Sequence, residues 1–137
     1  MNPAFSILLV EDDLVDVMSV RRALRELNAN NVLSVVGNGE EALARLRQTE
    51  NPLPGIILLD LNMPRMNGID LLKILKSDDA FRRIPVVVLT TSKEEKDRLQ
   101  SFNLGAAGYM VKPVDYSGFV EVVRTIKGYW NLSEMPP

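Results

Sequence analysis

Polar residues suited to chemistry on a phosphate or a metal ion directly follow short apolar runs of the sequence. They are Glu11 with Asp12, then Asp60, Thr90 and Lys112. Carboxylates that crowd together repel one another and raise each other's pKa unless a cation lies between them. Since the chain contains neither histidine nor cysteine, hard oxygen ligands of this kind favour Mg²⁺ or Mn²⁺. One carboxylate must also serve as a nucleophile, and an aspartate does so by forming an aspartyl phosphate.

The same residues match the needs of phosphoryl transfer, which depends on positioning and on neutralising charge over the equatorial oxygens. Glu11, Asp12 and Asp60 would supply metal ligands, with the main-chain carbonyl of Asn62 just beyond. The metal would cover one phosphoryl oxygen and the Lys112 ammonium a second. The hydroxyl of Thr90, or nearby backbone N–H groups, would cover a third. The sequence therefore contains every residue type that transfer needs.

The elements around these residues must bring them to one place. Short apolar runs alternate with segments of helical period, which indicates an α/β protein with a parallel sheet. The strands of such a sheet end along one edge, where ligands bind. The predicted strands are 5–10, 32–36, 56–59, 85–89 and 107–111. The predicted helices follow them, with a first helix on the face of Val17, Val20, Leu24 and Leu27, then 40–48, one around 71–75, 93–103 and about 115–127.

Composition indicates one soluble domain. Of the 137 residues, 46% are hydrophobic, which is enough apolar surface for a single core. The net charge is −2. We predict a core over about 5–127 and a C-terminal tail over 128–137. Lysine and arginine form no basic run, so nucleic-acid binding is not expected. The sequence shows no signal peptide and no apolar stretch long enough for a bilayer, so a cytoplasmic protein without membrane association is predicted.

The sequence resembles the receiver domain of bacterial response regulators from about residue 6 to residue 127. Each matching segment is modest alone, but all of them occur in order on the predicted strand ends, which makes the signal highly specific. The resemblance implies a doubly wound, five-stranded parallel sheet of order 2-1-3-4-5 with five helices, the flavodoxin-like architecture. The matching segments are ILLVEDD (7–13), ILLDLNMP (57–64), Asn67-Gly68, PVVVLT (85–90) and GAAGYMVKP (105–113).

The resemblance also implies roles for the acidic residues. Asp60 becomes the phosphoacceptor, and Glu11 and Asp12 the acidic pair for Mg²⁺, with Asp12 the more direct ligand. Asp13 takes the place of a variable third acid, in a supporting position. Family members receive the phosphoryl group from a sensor histidine kinase or from small phosphodonors, and they catalyse only their own phosphorylation and dephosphorylation. They signal to a downstream protein or relay the phosphate to a phosphotransfer protein, and the sequence leaves a homodimer open.

The remaining implied roles concern the switch. Lys112 pairs with the phosphate, and the family places the bond to Pro113 in cis. The Thr90 hydroxyl moves toward the phosphoryl group, and the ring of Tyr109 turns inward behind it. Thr91 is bulkier than the Ala or Gly common after the switch hydroxyl, so it could narrow access to the phosphate.

A narrower resemblance is to the small regulators paired with cyanobacterial and bacterial phytochromes. It rests on the segment LTTS (89–92), on IKGYW (126–130) and on Asp16 after the acidic cluster. The partner kinase would then be a phytochrome. Residues Tyr129 and Trp130 either pin the last helix to the core or form an exposed patch for a partner.

Several other interpretations stay open on sequence grounds. The cluster 11–13 could be a helix cap, Lys112 a solvated loop residue, Thr90 a strand-end hydroxyl and Tyr109 plain packing. A phosphohydrolase with an aspartyl nucleophile would need an acid where Asn62 stands. A receiver-like module that binds partners without phosphorylation, and a flavodoxin-like cofactor binder, are further alternatives; the acidic first loop would repel the phosphate of a flavin.

Overall fold

The computed structural model describes residues 6–29 and 32–132, and within them five strands alternate strictly with five helices. This alternation confirms the predicted α/β organisation. The strands are β1 (Ile7–Val10), β2 (Leu33–Val36), β3 (Ile56–Leu59), β4 (Val86–Thr90) and β5 (Gly108–Val111). The helices are α1 (Leu14–Glu26), α2 (Gly39–Leu46), α3 (Gly68–Ser77), α4 (Glu95–Asn103) and α5 (Tyr116–Leu132).

The sheet is parallel throughout and has the strand order β2-β1-β3-β4-β5. This is the doubly wound, flavodoxin-like order expected from the sequence. The order reverses beside β1, so β1 and β3 are neighbours, with Val10 paired to Leu59. Residues that follow these two strands therefore lie side by side at the carboxyl edge, where α/β sheets bind ligands.

Alternate strand residues supply two separate cores, one on each face of the sheet. This explains why β1 and β3 are apolar at every position, and β4 at every position but its last, Thr90, since both of their faces are covered. Ile7 and Leu9 pack with α1 and α5, whereas Leu8 and Val10 pack with α2 and α3. The helix residues in the first core include Val17, Val20, Leu24, Phe119, Val123 and Ile126. Those in the second include Leu43, Leu46, Leu71, Leu72 and Leu75.

The last helix differs from its predicted length. α5 continues to Leu132 rather than ending at Lys127, so residues 128–132 of the predicted tail are helical. Gly128 has nothing within 4 Å of the position a Cβ would take. A glycine inside a helix costs only about 1 kcal/mol relative to alanine, and the rest of α5 offsets that. The predicted tail beyond 132 and the start of the first strand at Phe5 lie outside the described residues.

Among the helices of the described residues, α4 is the one without a buried apolar residue. Of its nine residues, all within the described range, only Ser101 is buried, and the N-cap residue Glu94 makes no side-chain capping bond. Few apolar contacts mean a low local free energy of unfolding. Within the described residues, no helix has the length and apolar character needed to cross a bilayer.

Candidate functional site

The predicted site residues meet at the carboxyl edge of the sheet because backbone bonds hold the strand ends in register. The N–H of Asp60 donates to the carbonyl of Val10 at 3.1 Å, and the N–H of Lys112 donates to the carbonyl of Thr90 at 2.8 Å. The first bond links the ends of β1 and β3, and the second links those of β4 and β5. Four distant segments of the sequence thus present their polar side chains to one place.

The acidic residues form a cluster of the kind that holds a divalent cation. Carboxylate oxygens of Glu11, Asp12 and Asp60 all lie within 4.8 Å of one another. Glu11 and Asp60 are buried, whereas Asp12 is exposed. Two buried carboxylates and one at the surface, all oxygen donors, suit Mg²⁺, which binds few carboxylates and keeps several waters. The donor set therefore fits the predicted metal.

Asn62 lies at the rim of this cluster. Its backbone N–H donates to Oδ1 of Asp60 at 3.3 Å, and its side-chain Nδ2 lies 3.5 Å from Oγ1 of Thr91. Asn62 and Thr91 are both exposed. The structure thus brings both residues to the site, with their side chains facing each other beside Asp60. The role of the Asn62 carbonyl as a metal ligand stays a prediction.

Lys112 is the cation of the site, and it contacts three carboxylates at once. Its Nζ lies 2.6 Å from Oε2 of Glu11, 2.8 Å from Oδ2 of Asp16 and 3.3 Å from Oδ2 of Asp60. The side chain is buried, so the alternative of a solvated loop lysine is wrong. The expectation of a cis bond to Pro113 is also wrong, since all described peptide bonds are trans. The Lys112 side chain points inward with a trans bond, because three carboxylates bind its ammonium and its backbone N–H donates to the Thr90 carbonyl.

Burial and nearby charges shift the pKa values of Glu11 and Lys112. Burial raises the pKa of Glu11 to about 7, even though the bonds from Lys112 and from the N–H of Asp13 lower it. The nearby charge of Asp60 contributes to this rise and is included in that value. Burial alone would lower the pKa of Lys112, but the bonds to Asp16 and Glu11 and the charge of Asp60 outweigh it and raise that pKa. Lys112 is therefore a permanent cation.

Asp13 is the residue of the acidic cluster 11–13 that caps a helix. Its carboxylate accepts from the N–H groups of Val15 and Asp16 at 2.9 and 3.3 Å, so it is the N-cap of α1. Its own N–H donates to Oε1 of Glu11 at 3.0 Å. The helix-cap interpretation is thus correct for Asp13, while Glu11 and Asp12 belong to the acidic cluster.

The two predicted switch residues are joined through Ser92, which the sequence did not single out. The Thr90 hydroxyl oxygen accepts from the Ser92 N–H at 3.3 Å, and the Tyr109 hydroxyl donates to the Ser92 carbonyl at 2.9 Å. Thr90 is fully buried and Tyr109 is half-buried, with its ring centroid 6.5 Å from that of Phe102 in α4. Thr90 and Tyr109 therefore share Ser92 as a hydrogen-bond partner, and their roles as switch residues stay a prediction.

Gly68 explains why the sequence has Asn-Gly after the third strand. A Cβ at position 68 would lie 2.4 Å from the carbonyl oxygen of Asp60 and 2.7 Å from Cα of Leu61. Asn67 caps α3 through the N–H of Asp70 at 3.0 Å. The start of α3 therefore lies directly against the backbone of Asp60 and fixes its position.

Known proteins resemble this chain over nearly its whole length. The family model of the response regulator receiver domain matches residues 7–124. Response regulator Rcp1 of Synechocystis sp. is 36% identical over 133 residues, covering 94% of this chain and 90% of Rcp1. The phosphorylated cyanobacterial phytochrome response regulator RcpA superposes with a TM-score of 0.92 at 35% identity, covering 98% of this chain and 99% of RcpA. The Mn²⁺-bound form of Rcp1 superposes with a TM-score of 0.89 at 34% identity, covering 97% and 99%.

Proposed function

The chain belongs to the response regulator receiver domain family, and from that premise we propose that it accepts a phosphoryl group on Asp60 and signals to a separate protein. The observation that supports this most is the triple contact of the buried Lys112 ammonium with Glu11, Asp16 and Asp60. A buried lysine held beside a nucleophilic carboxylate is placed to neutralise charge on a transferred phosphoryl group. Phytochrome-associated regulators are among its relatives.

In the proposed reaction, a carboxylate oxygen of Asp60 attacks the phosphorus of a phosphohistidine on a partner kinase. The O–P bond of an aspartyl phosphate forms as the P–N bond to histidine breaks. Lys112 and Thr90 would bind two of the phosphoryl oxygens. Glu11, Asp12 and Asp60 would hold Mg²⁺ or Mn²⁺, which when bound supplies positive charge to the phosphoryl oxygens. The domain acts on itself and does not turn over a separate substrate.

The proposed output is a change in the Thr90–Ser92–Tyr109 connection. Drawing the Thr90 hydroxyl toward a phosphoryl oxygen would break its bond with the Ser92 N–H. Because the Ser92 carbonyl also accepts from Tyr109, the ring and the adjoining α4 would move with it. The few buried apolar contacts of α4 keep the free-energy difference for such a movement small.

A docking surface for the kinase lies beside the mouth of the site. Leu14, Val15 and Met18 in the first turns of α1 are exposed, and so is Val114, two residues after Lys112. Exposed apolar residues grouped around a reactive centre are typical of protein–protein contacts. The partner we propose is a sensor histidine kinase, and by similarity to RcpA it is a phytochrome.

Replacing Met18 with lysine tests this surface separately from the chemistry. Charge on an apolar contact should lower the rate of transfer from a phosphorylated kinase by about tenfold or more. Phosphorylation by acetyl phosphate, which needs no docking, should proceed as in the wild type. An equal loss with both donors would contradict a docking role for α1.

The proposed function is tested by intact-protein mass spectrometry after incubation with Mg²⁺ and acetyl phosphate. One added phosphoryl group on the wild type, absent with EDTA and absent from an Asp60→Asn variant, is the expected result. If no adduct forms and fluoroberyllate does not bind, the chain is a partner-binding module that works without phosphorylation.

A further inference from the structure

Lys112 has no spare hydrogen-bond donor for a phosphoryl group in this structure. An ammonium carries three N–H donors, and three carboxylates lie within reach of Nζ, at 2.6, 2.8 and 3.3 Å. A phosphoryl oxygen on Asp60 can bind Lys112 only if one of the existing contacts is given up. Lys112 must therefore release one of these three carboxylates when it binds a phosphoryl oxygen.

Exposure identifies Asp16 as the partner that is released most easily. The Asp16 side chain is 20% exposed, whereas those of Glu11 and Asp60 are 3% and 5% exposed. A released Asp16 carboxylate is solvated by water at once, whereas a released Glu11 carboxylate would remain buried without its cation. Glu11 and Asp60 also belong to the three-carboxylate cluster that suits a metal, and Asp16 does not.

The distances show that the resting contacts draw the ammonium away from the nucleophile. Nζ lies closer to Glu11 and Asp16 than to Asp60. Bonding to an oxygen carried by Asp60 requires a shift toward that residue, and the contact with Asp16 weakens as it occurs. The negative charge of Asp16 also opposes the arrival of a phosphoryl dianion in the same region.

Helix capping alone does not explain Asp16. An acid in the first turn of a helix is favourable because of the helix dipole, and the Asp16 backbone N–H is bound by the Asp13 carboxylate. The Asp16 carboxylate, however, is directed to an ammonium at the end of β5 rather than to the helix itself.

We propose that Asp16 is a positioning residue that competes with the phosphoryl oxygens for Lys112 and so sets how readily the phosphorylated state forms. This inference rests on the proposed function, because it concerns the same site. Neutralising Asp16 should strengthen the binding of a phosphoryl group, in contrast to the loss expected when a stabilising residue is removed.

The test is the affinity for fluoroberyllate, a phosphoryl mimic, at saturating Mg²⁺, measured by titration calorimetry. Asp16→Asn should bind it about fivefold more tightly than the wild type, the size expected for exchange of one partly solvated ion pair. Asp16→Glu, which keeps the charge, should return toward wild-type affinity. Glu26→Gln removes one charge on the same helix about 15 Å away and should bind as the wild type does.

Each outcome separates the inference from the proposed function. If the wild type binds fluoroberyllate and Asp16→Asn binds it equally or more weakly, Asp16 is only structural and the inference is wrong. If the wild type does not bind it, the proposed function is wrong and the inference falls with it. Should Asp16→Asn not fold, as judged by circular dichroism, Asp16→Ser removes the same charge and carries the same test.

Discussion

Replacing Glu11 with glutamine is predicted to stabilise the metal-free protein at neutral pH. Burial raises the pKa of Glu11 from 4.5 to about 7, so ionised Glu11 is unfavourable in the folded state. Converting that rise at about 1.4 kcal/mol for each tenfold change gives roughly 3 kcal/mol above pH 7. Glutamine has nearly the same shape as the neutral acid, and the pKa of about 7 already includes the attraction of Lys112, so the gain in the free energy of unfolding should be up to about 3 kcal/mol.

The sign of the pH dependence follows from the direction of the shift. Because the folded-state pKa of Glu11 lies above the unfolded-state value, the folded protein binds this proton more tightly. The stabilisation from the protonated acid is complete below about pH 4.5 and is lost as the pH rises through about 7. The glutamine variant lacks this titration, so its advantage over the wild type should grow across that range.

Urea unfolding in EDTA, at about pH 5 and about pH 8, measures the difference between variant and wild type. All other carboxylates titrate in both proteins, so the change in that difference reports Glu11. A Glu11→Gln variant that is less stable than the wild type at about pH 8, or a difference that does not depend on pH, would show that ionised Glu11 does not destabilise the folded protein.

Three further predictions follow from the same geometry. Gly68→Ala places a methyl group 2.4 Å from the Asp60 carbonyl, so urea unfolding should show a loss of about 3 kcal/mol or more. Thr91→Ala removes the hydroxyl and methyl groups that face Asn62 beside Asp60. Water should then reach the phosphoryl group more easily, so the phosphoprotein should decay on the order of threefold faster. An unchanged decay rate would show that Thr91 does not restrict the access of water. With Glu11 as a proposed Mg²⁺ ligand and its pKa raised to about 7, the apparent affinity for Mg²⁺ should fall about tenfold per pH unit below 7. A Mg²⁺ affinity that does not depend on pH would contradict this.

The sequence could predict the positions of the strand ends because their physical signals are local. Buried strands of a parallel sheet are apolar at every position, and each such run stops at a polar residue. Once the order of the strands is given by the family resemblance, the convergence of Asp60, Thr90 and Lys112 follows from the topology alone. That is why the fold and the composition of the acidic cluster were predicted correctly.

Contacts between distant parts of the chain could not be predicted in this way. Asp16 lies in the first turn of α1, where the helix dipole already accounts for an acid, so nothing local points to Lys112. Ser92 contributes mainly backbone atoms to the Thr90–Tyr109 connection, and backbone roles leave no mark on residue type. The length of α5 was underestimated because Gly128 is a common helix-end signal, but here it lies on an exposed helix face.

The proposed phosphoryl group on Asp60 can be located chemically. Borohydride reduction of the acetyl-phosphate-treated protein, followed by peptide mapping by mass spectrometry, converts an aspartyl phosphate to homoserine and so locates it. We expect homoserine at position 60 alone, and only when Mg²⁺ is present. Reduction at another carboxylate while position 60 stays aspartate, or no reduction in a protein that carries the phosphoryl mass, would contradict this expectation.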